Sequence, residues 1–115
     1  MSVTIYHNPR CSKSRQTLAL LEEKGITAEV VTYLDTLLSV ELLESVLSAL
    51  GMEPRALMRK GEDTYKDLDL ANEDLSRAAL ITAMIENPIL IERPIVVNGS
   101  KAAIGRPPES VLEIL

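Results

Sequence analysis

Cys11 is the only cysteine of the chain and His7 the only histidine, and both fall in the run His7-Asn8-Pro9-Arg10-Cys11-Ser12-Lys13-Ser14-Arg15. A lone cysteine is most often a small buried hydrophobe. Here it sits where a loop leaving a strand enters a helix, and the unpaired N–H groups and dipole of a helix N-terminus favour an anion such as a thiolate. Arg10, Lys13 and Arg15 add positive charge. Such surroundings lower a cysteine pKa from about 8.5 into the range ~3.5 to 7.5. The same N–H groups form a cradle for a tetrahedral oxyanion. His7 could orient the loop, assist proton transfer or raise the thiolate fraction, although a single histidine near a strand end is more often structural. Ser14 occupies the place of the second sulfur of a Cys-x-x-Cys pair; it could donate a hydrogen bond to the thiolate or simply cap the helix.

With one sulfur the chain can form no internal disulfide, so any oxidised Cys11 needs an outside thiol to resolve it. One Cys and one His are also too few soft ligands for the usual structural zinc site, so no metal is expected. Three further arginines have restrained settings: Arg59 follows an apolar turn, Arg93 precedes Pro94, and Arg106 precedes Pro107. A guanidinium presents a planar fork of donors suited to oxyanions. Spacing alone does not make these three converge on Cys11. Pro94 opens a strand, where proline is tolerated, and is a candidate for a cis peptide bond.

The elements that must position these residues follow from periodicity. Val3–Tyr6 reads as a strand, the stretch from about Ser14 to Lys24 as a helix stopped by Gly25, and Ala28–Tyr33 as a second, β-branched strand. The right-handed crossover between them makes the strands parallel. In 39–50 the residues Leu43, Val46, Leu47 and Leu50 recur at helical spacing between a capping Ser39 and Gly51. The charged stretch 54–75 predicts short helical turns, and 76–86 a helix with Leu80, Ile81, Met84 and Ile85 on one stripe, blocked by Pro88. Ile95-Val96-Val97, Asn98-Gly99 and Lys101–Ile104 predict a hairpin with a type I′ turn. Pro107-Pro108-Glu109 opens a terminal helix carrying Val111, Leu112, Ile114 and Leu115. The order β-α-β, helical stretch, β-β-α predicts an α/β fold with a thioredoxin-like mixed sheet.

At 115 residues, 46% of them apolar and 25% charged, the chain reads as a single domain over 1–115 with a helical insert at about 39–87. No stretch approaches the ~20 apolar residues of a membrane helix, and the N-terminus lacks the basic and apolar regions of a secretory signal, which points to the cytoplasm. Seventeen acidic against twelve basic residues, a net charge of -5, disfavour nucleic-acid binding.

Over essentially its whole length the chain resembles the glutaredoxin-dependent arsenate reductase family. The resemblance rests on the His7–Arg15 run, on Tyr33-Leu34-Asp35-Thr36, on Arg55-Ala56-Leu57-Met58-Arg59-Lys60, on the segment from Asn87 through Arg93-Pro94 to Val97, and on Arg106-Pro107-Pro108-Glu109. It implies a thioredoxin-like fold with Cys11 as nucleophile. It further implies Arg59, Arg93 and Arg106 around the oxyanion, His7 and Ser14 tuning the thiolate, and a cis Pro94 opposite the active-site loop. By the resemblance Cys11 attacks arsenate, glutathione serves as co-substrate with no bound cofactor, arsenite leaves, and glutaredoxin reduces the Cys11-glutathione disulfide. A monomer is expected. The tail Gly105-Arg106-Pro107-Pro108 looks like that of chromosomal members of the family. Ser14 in place of a second cysteine separates the chain from related regulators that carry Cys-x-x-Cys. Two other readings compete: a glutathione-linked oxidoreductase with another substrate, and a redox-sensing protein-interaction module.

Overall fold

Four short strands build one sheet, and their register decides what gathers at its end. In the computed structural model, which describes residues 3–36 and 38–115, β1 (Val3–Tyr6) lies between β2 (Ala28–Val31) and β3 (Ile95–Asn98), with β4 (Lys101–Ile104) outermost. β1 and β2 are parallel, as a βαβ crossover requires, while β3 runs antiparallel to both β1 and β4. This is a thioredoxin-like mixed α/β sheet. Tyr6 faces Val31 on one side and Ile95 on the other. The segments leaving β1 and β2 and the segment entering β3 therefore meet at one end of the sheet.

The described residues divide into two compact units, 3–36 with 93–115, and 38–92. The sheet and α1 (Ser12–Glu23) belong to the first. Period-2 alternation turns Val3 and Ile5 to one face, where they bury against Leu21 of α1, Val96 of β3 and Val111. The α1 helix ends in a Schellman motif: Gly25, at φ +76°, donates to Glu22 O, and Ile26 N–H donates to Leu21 O at 2.9 Å.

Four boundaries depart from the sequence expectation. The α1 helix starts at Ser12 rather than Ser14, because Cys11 is already extended (φ -93°, ψ 123°) and takes the N-cap position. β2 stops at Val31, since β1 offers it only four partners, and the chain then turns through Asp35 N–H to Thr32 O at 2.9 Å. The hairpin turn is Gly99-Ser100, with Asn98 paired to Lys101. Gly99 alone has a positive φ (+63°), the pattern of a type II′ turn instead of I′. The Asn98 side-chain amide donates to Ile114 O at 2.7 Å, which occupies the residue expected at the turn. The terminal segment Pro108–Ile114 is a 3₁₀ helix rather than an α-helix.

The second unit holds α2 (Val40–Leu50), α3 (Asp63–Asp67), α4 (Arg77–Glu86) and two 3₁₀ turns, Pro54–Leu57 and Pro88–Leu90. Ser39 and Ser76 cap α2 and α4, accepting from Leu42 N–H at 3.0 Å and Ala79 N–H at 3.1 Å. Of the stripes expected from the sequence, Leu43, Val46 and Leu47 on α2 and Leu80, Ile81 and Met84 on α4 are buried, while Leu50 and Ile85 are half-buried. A Met58–Ile91 bridge, flanked by Glu92 N–H to Leu57 O at 2.8 Å and Arg59 N–H to Leu90 O at 2.6 Å, fixes the backbone that carries Arg59. No described helix is long and apolar enough to cross a membrane.

Candidate functional site

The N-cap position of Cys11 sets the chemistry of its sulfur. An N-cap side chain ordinarily places an oxygen against the second and third N–H groups of its helix. Here those groups belong to Lys13 and Ser14, and they face Sγ instead. Burial works to raise the thiol pKa, but the Ser14 N–H, the Arg93 guanidinium and the Lys13 N–H outweigh it, and the net displacement is downward. Cys11 is half-buried and bonded to no other sulfur.

The loop ahead of it is stitched by its own polar groups. Asn8 O accepts from Cys11 N–H and Asn8 Oδ1 from Arg10 N–H, each at 3.0 Å, while Arg15 Nη1 donates back to Pro9 O at 3.0 Å. Ser14, fully buried, accepts from Asn8 N–H at 3.0 Å and shares a 2.7 Å hydrogen bond with His7 Nδ1. Its hydroxyl is thus engaged by the loop, and its approach to the sulfur is made by the backbone N–H. His7 is buried at 6% exposure. Burial, with the Arg15 charge second, holds its pKa below the ordinary value, so the ring is neutral at pH 7.

Two arginines of the same unit reach Cys11. Arg106 Nη2 lies 3.6 Å from Sγ, and its Nε donates to Arg93 O at 2.7 Å. The Arg93 guanidinium interacts with both Cys11 and Tyr33. Its Nε and Nη1 are nevertheless buried without a hydrogen-bond partner. Buried polar groups are paired in the great majority of cases. Donors left open beside a thiol held below its ordinary pKa are suited to an oxyanion.

Both arginines precede prolines, and both peptide bonds, Arg93-Pro94 and Arg106-Pro107, are cis. Gly105 ties these segments to α1. Its N–H donates to Pro94 O at 2.9 Å, and a Cβ at this position would overlap the Thr17 hydroxyl and come within 2.8 Å of the Pro94 ring. Sequence reading singled out neither Gly105, Thr17 nor the second cis bond. A glycine directly before Arg-Pro was the one available signal for close backbone approach.

Arg59 belongs to the second unit, where Nε lies 3.5 Å from Glu62 Oε1 and Nη1 is buried with no partner. Among the described residues no group of three His, Cys, Asp or Glu is arranged to hold a metal ion.

Comparison with known proteins gives this geometry a context. A family model described as "ArsC family" matches residues 6–114. The Haemophilus influenzae protein named arsenate reductase is 58% identical over 116 residues, covering 100% of both chains. The Escherichia coli K12 protein named "Uncharacterized protein YfgD" is 60% identical, over 98% of this chain and 96% of that relative. A solved structure titled arsenate reductase from Vibrio cholerae superposes with a TM-score of 0.97 at 59% identity, covering 100% of this chain and 98% of that one.

Proposed function

Because the chain belongs to the ArsC family, we propose that it is an arsenate reductase in which the Cys11 thiolate attacks arsenic and glutathione and glutaredoxin supply the reducing equivalents. One observation carries the reading: a thiol held below its ordinary pKa lies beside a partly buried arginine whose Nε and Nη1 are buried open donors. The catalytic thiol is Cys11. Arg93 and Arg106 bind and polarise the oxyanion, and the family resemblance gives Arg59 a share in that task. His7 and Ser14 tune the thiolate by holding the loop that presents it.

In the proposed reaction Cys11 Sγ forms a bond to As(V) and an arsenate oxygen, protonated from solvent, leaves as water, while the guanidinium donors drain negative charge from the oxygens that remain. Glutathione then attacks, a sulfur–sulfur bond forms between Cys11 and glutathione, and two electrons pass to arsenic, which leaves as arsenite. One cysteine in the chain means that the resulting mixed disulfide must be opened from outside, and glutaredoxin is the proposed thiol. These reductants belong to a reducing compartment, so the enzyme is proposed to act in the cytoplasm, as a monomer.

The test is arsenate-dependent NADPH oxidation coupled through glutathione reductase, glutathione and glutaredoxin. Turnover is expected to require all three and to vanish in Cys11→Ser with the thermal transition unchanged. A folded native protein inactive with arsenate across several glutaredoxins, yet able to turn over another oxyanion or a glutathione disulfide, would overturn it.

A further inference from the structure

Tyr33 is one of three tyrosines in a chain without phenylalanine or tryptophan, and it is 1% exposed. An aromatic ring that only filled space could be phenylalanine, whereas a buried tyrosine hydroxyl requires a polar partner. That partner follows from the register. Tyr33 lies two residues beyond Val31, Arg93 two residues before Ile95, and Val31 and Ile95 flank Tyr6 at the end of β1. Tyr33 and Arg93 therefore leave the sheet at the same end, on either side of the segment that continues from Tyr6 to Cys11. The two groups are electrostatically linked there: the Tyr33 phenol, like the Cys11 sulfur, favours the charged Arg93 guanidinium. The neighbours of Tyr33, Thr32 and Leu34, line an outward groove of about 250 Å³, and Tyr33 itself is absent from that lining.

We propose that Tyr33 is a positioning residue whose buried hydroxyl anchors the Arg93 guanidinium, fixing the plane of the fork so that it faces Cys11 and leaves Nε and Nη1 open to the oxyanion. An arginine side chain has many rotamers, and holding it in one before the anion arrives removes an ordering cost from binding. Two groups within the protein fix the fork: the sulfur on one side and the phenol on the other. Arg106 does not substitute for the phenol, because its Nε is committed to the Arg93 carbonyl. The inference deepens the proposed function and rests on it only for the identity of the anion.

The experiment uses inorganic phosphate, an oxyanion these thiols do not reduce, as the probe, and reads how well it protects Cys11 from iodoacetamide across pH. Tyr33→Phe keeps the ring and removes the hydroxyl. Expected is a native-like thermal transition, a higher pH midpoint for alkylation, and protection that needs roughly three- to tenfold more phosphate, about the net worth of one ordinary hydrogen bond. In an Arg93→Ala background the same substitution is expected to change neither quantity, because Tyr33 acts through Arg93. Unchanged protection and midpoint in Tyr33→Phe would overturn the proposal. So would an equal effect with and without Arg93, or loss of fold, which would make the hydroxyl a structural group. None of these measurements needs turnover, so an enzyme inactive on arsenate would sink the proposed function and leave this test standing.

Discussion

Two arginines, Arg77 in the helical unit and Arg93 at the end of the sheet, are used in opposite ways. Arg77 is exposed and fully spent on carboxylates: its Nη2 and Nε reach Glu44, the former at 2.6 Å, and its Nη1 reaches Glu53 at 3.0 Å. Arg55, in the same unit, donates to the carbonyls of Leu70 and Asn72. Arg93 is partly buried, meets a thiol and a phenol, and keeps open donors at Nε and Nη1. A guanidinium that ties a fold together finds its anions within the chain. One that awaits a ligand carries the cost of burial without a carboxylate to offset it. The net charge of -5 conceals this, because it averages over the whole chain, whereas the side chains that reach the Cys11 sulfur are those of Arg93 and Arg106.

The contrast is broken most directly by Arg93→Ala. If its open donors serve the oxyanion, arsenate kcat/KM is expected to fall by about 10²- to 10³-fold, the usual consequence of removing one preorganised donor to developing negative charge. Cys11 alkylation at neutral pH should slow as well, since the guanidinium helps to hold the thiol pKa down. Thermal unfolding is the control: a variant that kept kcat/KM within a few-fold at native stability would reduce Arg93 to a packing residue.

Gly105→Ala tests whether the sheet end needs this packing to bring Arg106 to the sulfur. The added methyl would overlap Thr17 Oγ1 and crowd Pro94, neither of which is the free end of a flexible chain. Overpacking of this kind costs ~1–3 kcal/mol. Chemical denaturation should register that loss, and kcat/KM should fall further than the loss of folded protein explains, because Arg106 follows Gly105 directly and its Nη2 sits 3.6 Å from Sγ. Native stability in this variant would mean that α1 and the Pro94 segment separate easily.

The sequence made the scaffold of this comparison legible and concealed its contacts. The stripe Leu43, Val46, Leu47 on α2 and the capping serines Ser39 and Ser76 were readable because each is a local signal of helical spacing or of N-cap chemistry. The start of α1 was misplaced because serine outranks cysteine as a cap, and only the extended backbone at Cys11 reveals that a sulfur occupies the position. That error hid the most useful fact about the loop, that the Lys13 and Ser14 N–H groups face Sγ. Tyr33 was absorbed into a β-branched run, and nothing local distinguishes a strand tyrosine from one in the turn just beyond. The approach of Arg93 and Arg106 to Cys11 depends on β3 pairing with β1 across more than eighty residues of chain. Spacing has no access to such a contact; only the family resemblance anticipated it.

Arg77→Ala addresses the other half of the contrast and carries the smallest expected effect. Glu44 and Glu53 are left without their cation, and the Glu44 carboxyl, now held below its ordinary pKa mainly by the hydrogen bond from Arg77, should return toward the usual carboxylate range. A carboxyl depressed in the folded state contributes stability above its unfolded pKa and loses it as pH falls through the folded value. The native protein should therefore hold a small stability advantage over Arg77→Ala at pH 7 that shrinks under acid. High salt should shrink it too, since the pair is exposed to solvent. Activity and Cys11 alkylation should not move. Denaturation midpoints at pH 7 and in acid, each with and without added salt, measure this directly. A large drop in kcat/KM instead would mean that the arginines of the helical unit are not reserved for its own fold.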